Sequence, residues 1–158
     1  LFTKSDLKLI LKIFEVMEKL VFEIQINASP EKVWSVLWDD ISYRQWTTAF
    51  TEGSFYQGTL EEGNTIKFLD PNNNGMFSRV EKNIPTKEIK FLHLGEIYNG
   101  VEAPQDWGEA TEAYILEEND EGTKLKSEIQ TPAEFKGFFE EKFPKALGIV
   151  KNLSENQL

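Results

Sequence analysis

The sequence predicts an α+β fold in which a curved antiparallel sheet of six or seven strands wraps around a long C-terminal helix. Three observations predict it. Residues 53–131 read as strand and turn throughout, and the turns are too short for crossovers, so successive strands pair antiparallel. Beyond them Phe135, Phe138, Phe139, Phe143, Leu147, Val150 and Leu153 recur at helical spacing. A single sheet has a face to cover, and this helix has an apolar stripe to cover it with. The size agrees: 158 residues, 40% hydrophobic and 28% charged, suit one globular domain.

In chain order, residues 4–19 place Leu7, Ile10, Leu11, Phe14 and Met17 on one helical stripe, with Ser5 or Asp6 as the cap. Met17 reads as a natural start, which makes 1–16 a helical extension and 17–158 the domain. The stripe must pack on this domain or on a second copy, so a homodimer through it is expected. From Leu20 to Asn27, Phe22, Ile24 and Ile26 alternate with polar residues as in a half-buried strand. Ser29-Pro30-Glu31 is a helix start: a Ser cap, Pro at the first position and an acid in the first turn. That helix carries Val33, Trp34 and Leu37, and Asp39-Asp40 opens a second one through Trp46.

The strands that follow are 54–56, 64–69, 76–84, 88–98, 108–118 and 123–130, with 99–107 read as a loop holding Gly100 and Pro104. Thr131-Pro132-Ala133-Glu134 forms a capping box for the last helix, and Pro144 should kink or break that helix. Gly137 and Gly148, which weaken a helix, suit places where it runs close to the sheet or to a ligand. A straight rod cannot fill a strongly bent sheet, so a hollow lined by Phe and Trp is expected between them.

Composition narrows the function. With 17 Lys and Arg against 27 Asp and Glu, the net charge is -10, which opposes nucleic acid and anionic lipid. The absence of Cys excludes thiolate metal sites, disulfides and Cys nucleophiles, and the single His93 excludes any site needing two imidazoles. No cofactor is called for. No run approaches the ~18 apolar residues of a membrane span, and Lys8 and Lys12 interrupt the N-terminal apolar stretch, so the expected location is cytoplasmic.

Four segments resemble a known family: Ala28-Ser-Pro-Glu-Lys-Val-Trp34, Trp46, Glu117-Glu-Asn-Asp-Glu-Gly-Thr-Lys-Leu125, and Ala146-Leu147 through Lys151 and Leu153. Over about residues 20–155 the chain resembles the START-like, helix-grip superfamily. Within it, the resemblance is to bacterial relatives of the activator of the ninety-kilodalton heat-shock-protein ATPase. It departs from many relatives in one place, where an acidic insert separates Gly58 from Gly63. The resemblance implies a scaffold that often holds a small hydrophobic molecule and sometimes catalyses cyclisation or dehydration. It also implies a possible chaperone partner, since the eukaryotic relatives act on one.

Asp70-x-Asn72-x-Asn74-Gly75-x5-Glu81 fits a calcium-loop pattern, but its flanks read as strands, so it is taken as a hairpin turn and not a metal site. His93 shares a strand face with Ile89 and Phe91. If that face is concave, His93 is a general base or a hydrogen-bond anchor, with Glu112 as the one carboxylate candidate beside it. Otherwise it is an ordinary core His. Neither Ser78 nor Ser127 can be tied to it from spacing. The residues expected to line a ligand are Trp46, Phe68, Phe91, His93, Trp107, Tyr114, Phe135, Phe138 and Phe139, with Trp107 as a lid. Trp34 and Trp46 also suit core packing. The reading is a module for a small apolar or amphipathic molecule, with apolar burial at ~25 cal/mol per Å² supplying most of the affinity. A cyclase- or dehydratase-type enzyme using His93, and a chaperone-associated protein, are the alternatives.

Overall fold

The computed structural model describes residues 3–6 and 16–156. Leu7, Ile10, Leu11 and Phe14, and with them the homodimer contact expected through that stripe, lie outside the described residues. Residues 4–6 are helical, and the cap is neither Ser5 nor Asp6. Thr3 Oγ1 accepts from the Asp6 amide at 3.1 Å, while an Asp6 carboxylate oxygen accepts from the Thr3 amide at 2.8 Å, a reciprocal box. Met17, assigned above to the helical stripe, instead begins a strand.

The elements are β1 (Met17–Ile26), α1 (Pro30–Trp38), α2 (Asp40–Trp46), a 3-10 turn (Thr47–Ala49), β2 (Phe55–Gln57), β3 (Thr65–Leu69), β4 (Gly75–Ile84) and β5 (Glu88–Tyr98). There follow β6 (Val101–Pro104), β7 (Thr111–Asn119), β8 (Gly122–Pro132), a 3-10 turn (Ala133–Phe135) and α3 (Lys136–Glu155). Every strand pair is antiparallel, in the order β1-β8-β7-β5-β4-β3-β2, with β6 beside β5. The sheet is curved and unclosed, and α3 lies against it. Eight strands replace the six or seven expected, because β6 occupies the stretch read as a loop.

The alternation seen in the sequence is the alternation of burial. Leu20 and Ile26 of β1 are buried while Val21 and Glu23 are exposed, and β8 buries Leu125 and Ile129 between half-buried charged neighbours. Ser29 caps α1 by accepting from the Lys32 amide at 3.2 Å, with Pro30 at the first position. The box predicted at Thr131-Glu134 is not made. Thr131 and Pro132 still pair with Glu18 and Met17 of β1, so the strand retains them and α3 begins only at Lys136 without a side-chain cap. Phe143, Ala146, Leu147 and Val150 form its buried face. The helix runs through Pro144 unbroken, and that residue is exposed. Gly137 and Gly148 face open space, with nothing within 4 Å of an added Cβ, so neither marks a close approach.

Asp70 to Gly75 is the β3–β4 turn. Asp70 Oδ1 accepts from the amides of Asn72 at 2.8 Å and Asn74 at 3.0 Å, and Glu81 sits 3.3 Å from Arg79. The carboxylate that would begin a calcium loop closes its own backbone instead.

One irregularity positions the site. The first half of β5 pairs with β7 through Glu88–Leu92, and the second half pairs with β6 through Gly95–Tyr98. His93 lies at this exchange of partners, its amide donating to the Ala110 carbonyl at 2.9 Å. On the other edge of β5 the pairing runs Ser78↔His93 and then Phe77↔Gly95, which leaves Leu94 as an extra, bulged residue. Gly95 is required beyond the bulge, since a Cβ there would sit 2.5 Å from the Ala103 carbonyl oxygen and 2.7 Å from the Phe77 ring. The sheet therefore splays at His93, and residues 105–110 arch over the gap.

Candidate functional site

Between the concave face and α3 lies a cavity of about 560 Å³. Its wall is aromatic. Trp38, Tyr43, Trp46 and Phe50 come from the helical segment after β1, Phe55, Phe68, Phe91 and Tyr114 from the sheet, Phe135 from the turn before α3, and Phe138, Phe139 and Phe143 from α3 itself. The rings hold one another at edges: Trp38 meets Phe91 at 5.5 Å and Tyr114 at 5.2 Å, and Phe68 meets Phe91 at 5.2 Å. Interlocked rings of this size cannot collapse into a void without leaving their rotamers, so the hollow persists.

The cavity wall includes all nine side chains expected to line a ligand. Their settings differ. Trp46, Phe91 and Tyr114 are buried, and Trp46 donates its indole N–H to the Leu37 carbonyl at 3.0 Å, so it serves the core as well. Phe68, His93, Trp107 and Phe139 are half-buried. Trp107 stands in the arch between β6 and β7. Phe135 and Phe138, placed by the stripe against the sheet, are instead 40% and 44% exposed. The helix starts later than its sequence pattern, which leaves those two rings at the rim. Trp34 packs partly buried against the core, 6.3 Å from Trp38.

Four polar side chains form a row, three of which, His93, Glu112 and Tyr114, belong to the cavity wall. Ser78 Oγ lies 2.7 Å from His93 Nδ1, and His93 Nε2 lies 3.3 Å from Glu112 Oε2. The Tyr114 hydroxyl donates to the other oxygen of Glu112. Register explains the row: Ser78 faces His93 directly, Phe91 faces Glu112, and His93 is two residues beyond Phe91 on the same face. Ser78 is fully buried and has no other partner among the described residues, so its O–H donates to Nδ1. That assigns the imidazole proton to Nε2 and directs it at Glu112. Ser78 does not reach the cavity. It orients His93 and is no nucleophile, despite the Ser-His-acid order.

Burial, followed by the charge of Glu112, raises the hydroxyl pKa of Tyr43 and Tyr114 well above the ordinary 10.0. Both remain neutral donors at physiological pH. The folded state holds these protons more tightly than the unfolded chain, so their contribution to stability is complete below the unfolded value and declines as pH rises past it. Stability should hold up to about pH 10 and fall beyond it. Urea midpoints measured across that range should fall less steeply in Tyr43→Phe, and an unchanged slope would contradict the burial of its hydroxyl.

Sequence reasoning missed Tyr43, Phe50 and the role of Ser78. Phe143 belongs to a stripe that packs on the sheet and lines a ligand only if the hollow exists, and Trp38, on a helix, suits either core or a cavity mouth. Tyr43 lies on a short helix with no lining signal of its own. Ser78 shares an alternation with Val80 on the buried side of β4, a signal that the bulge obscures.

No family model matches the chain, and no curated protein matches it. Solved structures do. The Aha1 dimer from Colwellia psychrerythraea, solved in solution, aligns with a TM-score of 0.69 and 24% identity over 87% of this chain and 96% of that one. Protein MLL2253 from Mesorhizobium loti gives 0.68 and 18% over 86% and 96%. CV1439 from Chromobacterium violaceum gives 0.65 and 15% over 88% and 98%. The chain has the START-like, helix-grip fold. Among the described residues no group of three or more His, Asp or Glu is placed to hold a metal, and no helix is long and apolar enough to cross a membrane.

Proposed function

We propose that this START-like domain binds a small apolar or amphipathic molecule in the cavity between its sheet and α3. The observation that carries the reading is a hollow of about 560 Å³ with a largely apolar, ring-rich wall, in which His93, Glu112 and Tyr114 form a connected polar row. Ligand sites have this character: mostly apolar surface for affinity and a few placed polar groups for orientation. Phe135 and Phe138, exposed members of the cavity wall, offer an apolar ligand a first contact. The carboxylate–imidazole row also suits proton transfer in a cyclase- or dehydratase-type reaction. Binding is the stronger reading, because most of the wall's surface is apolar.

The test combines native mass spectrometry of the protein from its expression host with displacement of anilinonaphthalenesulfonate and a neutral apolar dye. A retained small molecule, or saturable one-to-one displacement, is the expected result. No bound mass and no dye binding would defeat the proposal. The apolar spacing of Leu7, Ile10, Leu11 and Phe14 in the sequence and the dimer described for the Colwellia protein favour self-association as a separate property of the chain. A chaperone partner rests on the family resemblance alone.

A further inference from the structure

We propose that the cavity selects against anionic ligands and takes an apolar molecule bearing an ammonium or another strong hydrogen-bond donor, which seats on Glu112. This deepens the binding reading above and rests on it. Among the described residues the cavity wall contains the carboxylates of Asp70, Glu96 and Glu112, and no Lys or Arg. A fatty-acid or phosphate headgroup would find no fixed cation there.

Glu112 is the one of the three that joins the His93–Tyr114 row. Its side chain is 23% exposed, on the concave face, with Phe91 directly opposite. The donors it meets are the Tyr114 phenol O–H and His93 Nε2 at 3.3 Å, and no Lys or Arg among the described residues joins them on the wall to offset its carboxylate. An anion brought beside that charge in a poorly screened hollow is repelled. A cation is attracted, and the faces of the surrounding rings add to the attraction.

A second polar group lies in the same wall: the Trp38 indole N–H is buried and, among the described residues, has no partner, and Trp38 forms part of the cavity wall 5.2 Å from the Tyr114 ring.

The test is a matched series with one apolar body and three heads: naphthylethylamine, naphthylethanol and naphthylacetate, titrated at neutral pH by calorimetry. The amine should bind tightest and the acid weakest, with about 10-fold or more between them. In Glu112→Gln, checked for an unaltered thermal transition, that ratio should shrink at least about 5-fold, chiefly through a gain for the acid. If the acid binds wild type as tightly as the amine, the charge selection is wrong and the cavity reading stands. If none of the three binds, the cavity reading itself fails. Should Glu112→Gln not fold, the wild-type ranking still decides.

Discussion

Phe143→Ala should destabilise the protein by about 3–5 kcal/mol, the cost of truncating a fully buried aromatic ring whose surroundings cannot close. Phe143 is 1% exposed and joins three parts of the molecule. Its ring stacks on Phe22 of β1 at 5.0 Å and 10°, meets Phe50 at 5.0 Å, and lies 5.8 Å from Phe139 in its own helix. It is the pin that holds α3 across the sheet. The ring also borders the cavity, so the space left by truncation adds to an existing hollow, and the neighbouring rings are too interlocked to move in. For a domain of this size the midpoint of thermal unfolding should drop by about 6–20 °C. Phe138→Ala is the control. That ring is 44% exposed at the rim and should cost less than about 1 kcal/mol. Equal losses from the two variants would show that the helix is not held in this way.

Ala110→Phe should abolish most binding while leaving the fold intact. Ala110 is 4% exposed, stands at the foot of the arch before β7, and contributes to the cavity wall. Its carbonyl receives the His93 amide, a backbone bond that a change of side chain leaves in place. A benzyl group there should occupy volume that a ligand would otherwise take, and affinity for apolar probes should fall about 10-fold or more, since most of it comes from apolar burial. Stability should change little or rise, because a void is filled; a loss of about 1–3 kcal/mol would mean that the ring does not fit the hollow. Unchanged affinity in the folded variant would place the ligand elsewhere.

Several elements were legible because their cause is local. Ser29-Pro30-Glu31 started α1 as read, since a cap, a fixed φ and an acid act within one turn. The alternation of β1 and β8 gave the buried face of each. The same logic misled at Thr131-Pro132-Ala133-Glu134, where the residues suit a cap but β1 competes for the backbone and retains it as strand. It misled again at Val101–Pro104. Four fully exposed residues carry no alternation, and their strand exists only because the second half of β5 was left without a partner.

The candidate site divides along the same line. That His93 and Glu112 share the concave face follows from counting in twos along their strands. That Ser78 reaches His93 does not, because an earlier bulge at Glu81, between Val80↔Phe91 and Lys82↔Lys90, shifts β4 against β5 by one residue from the register the turn sets. The sequence alone therefore determined the order of elements, their antiparallel pairing and which side of each strand is apolar, since these depend on spacings a few residues long. Only the tertiary structure decided the register across the bulge, the emergence of Phe135 and Phe138 at the rim, and the hollow itself. A void is the small difference between the space enclosed by the backbone and the volume of the side chains within it. That difference depends on how distant segments pack, and no single segment contains it.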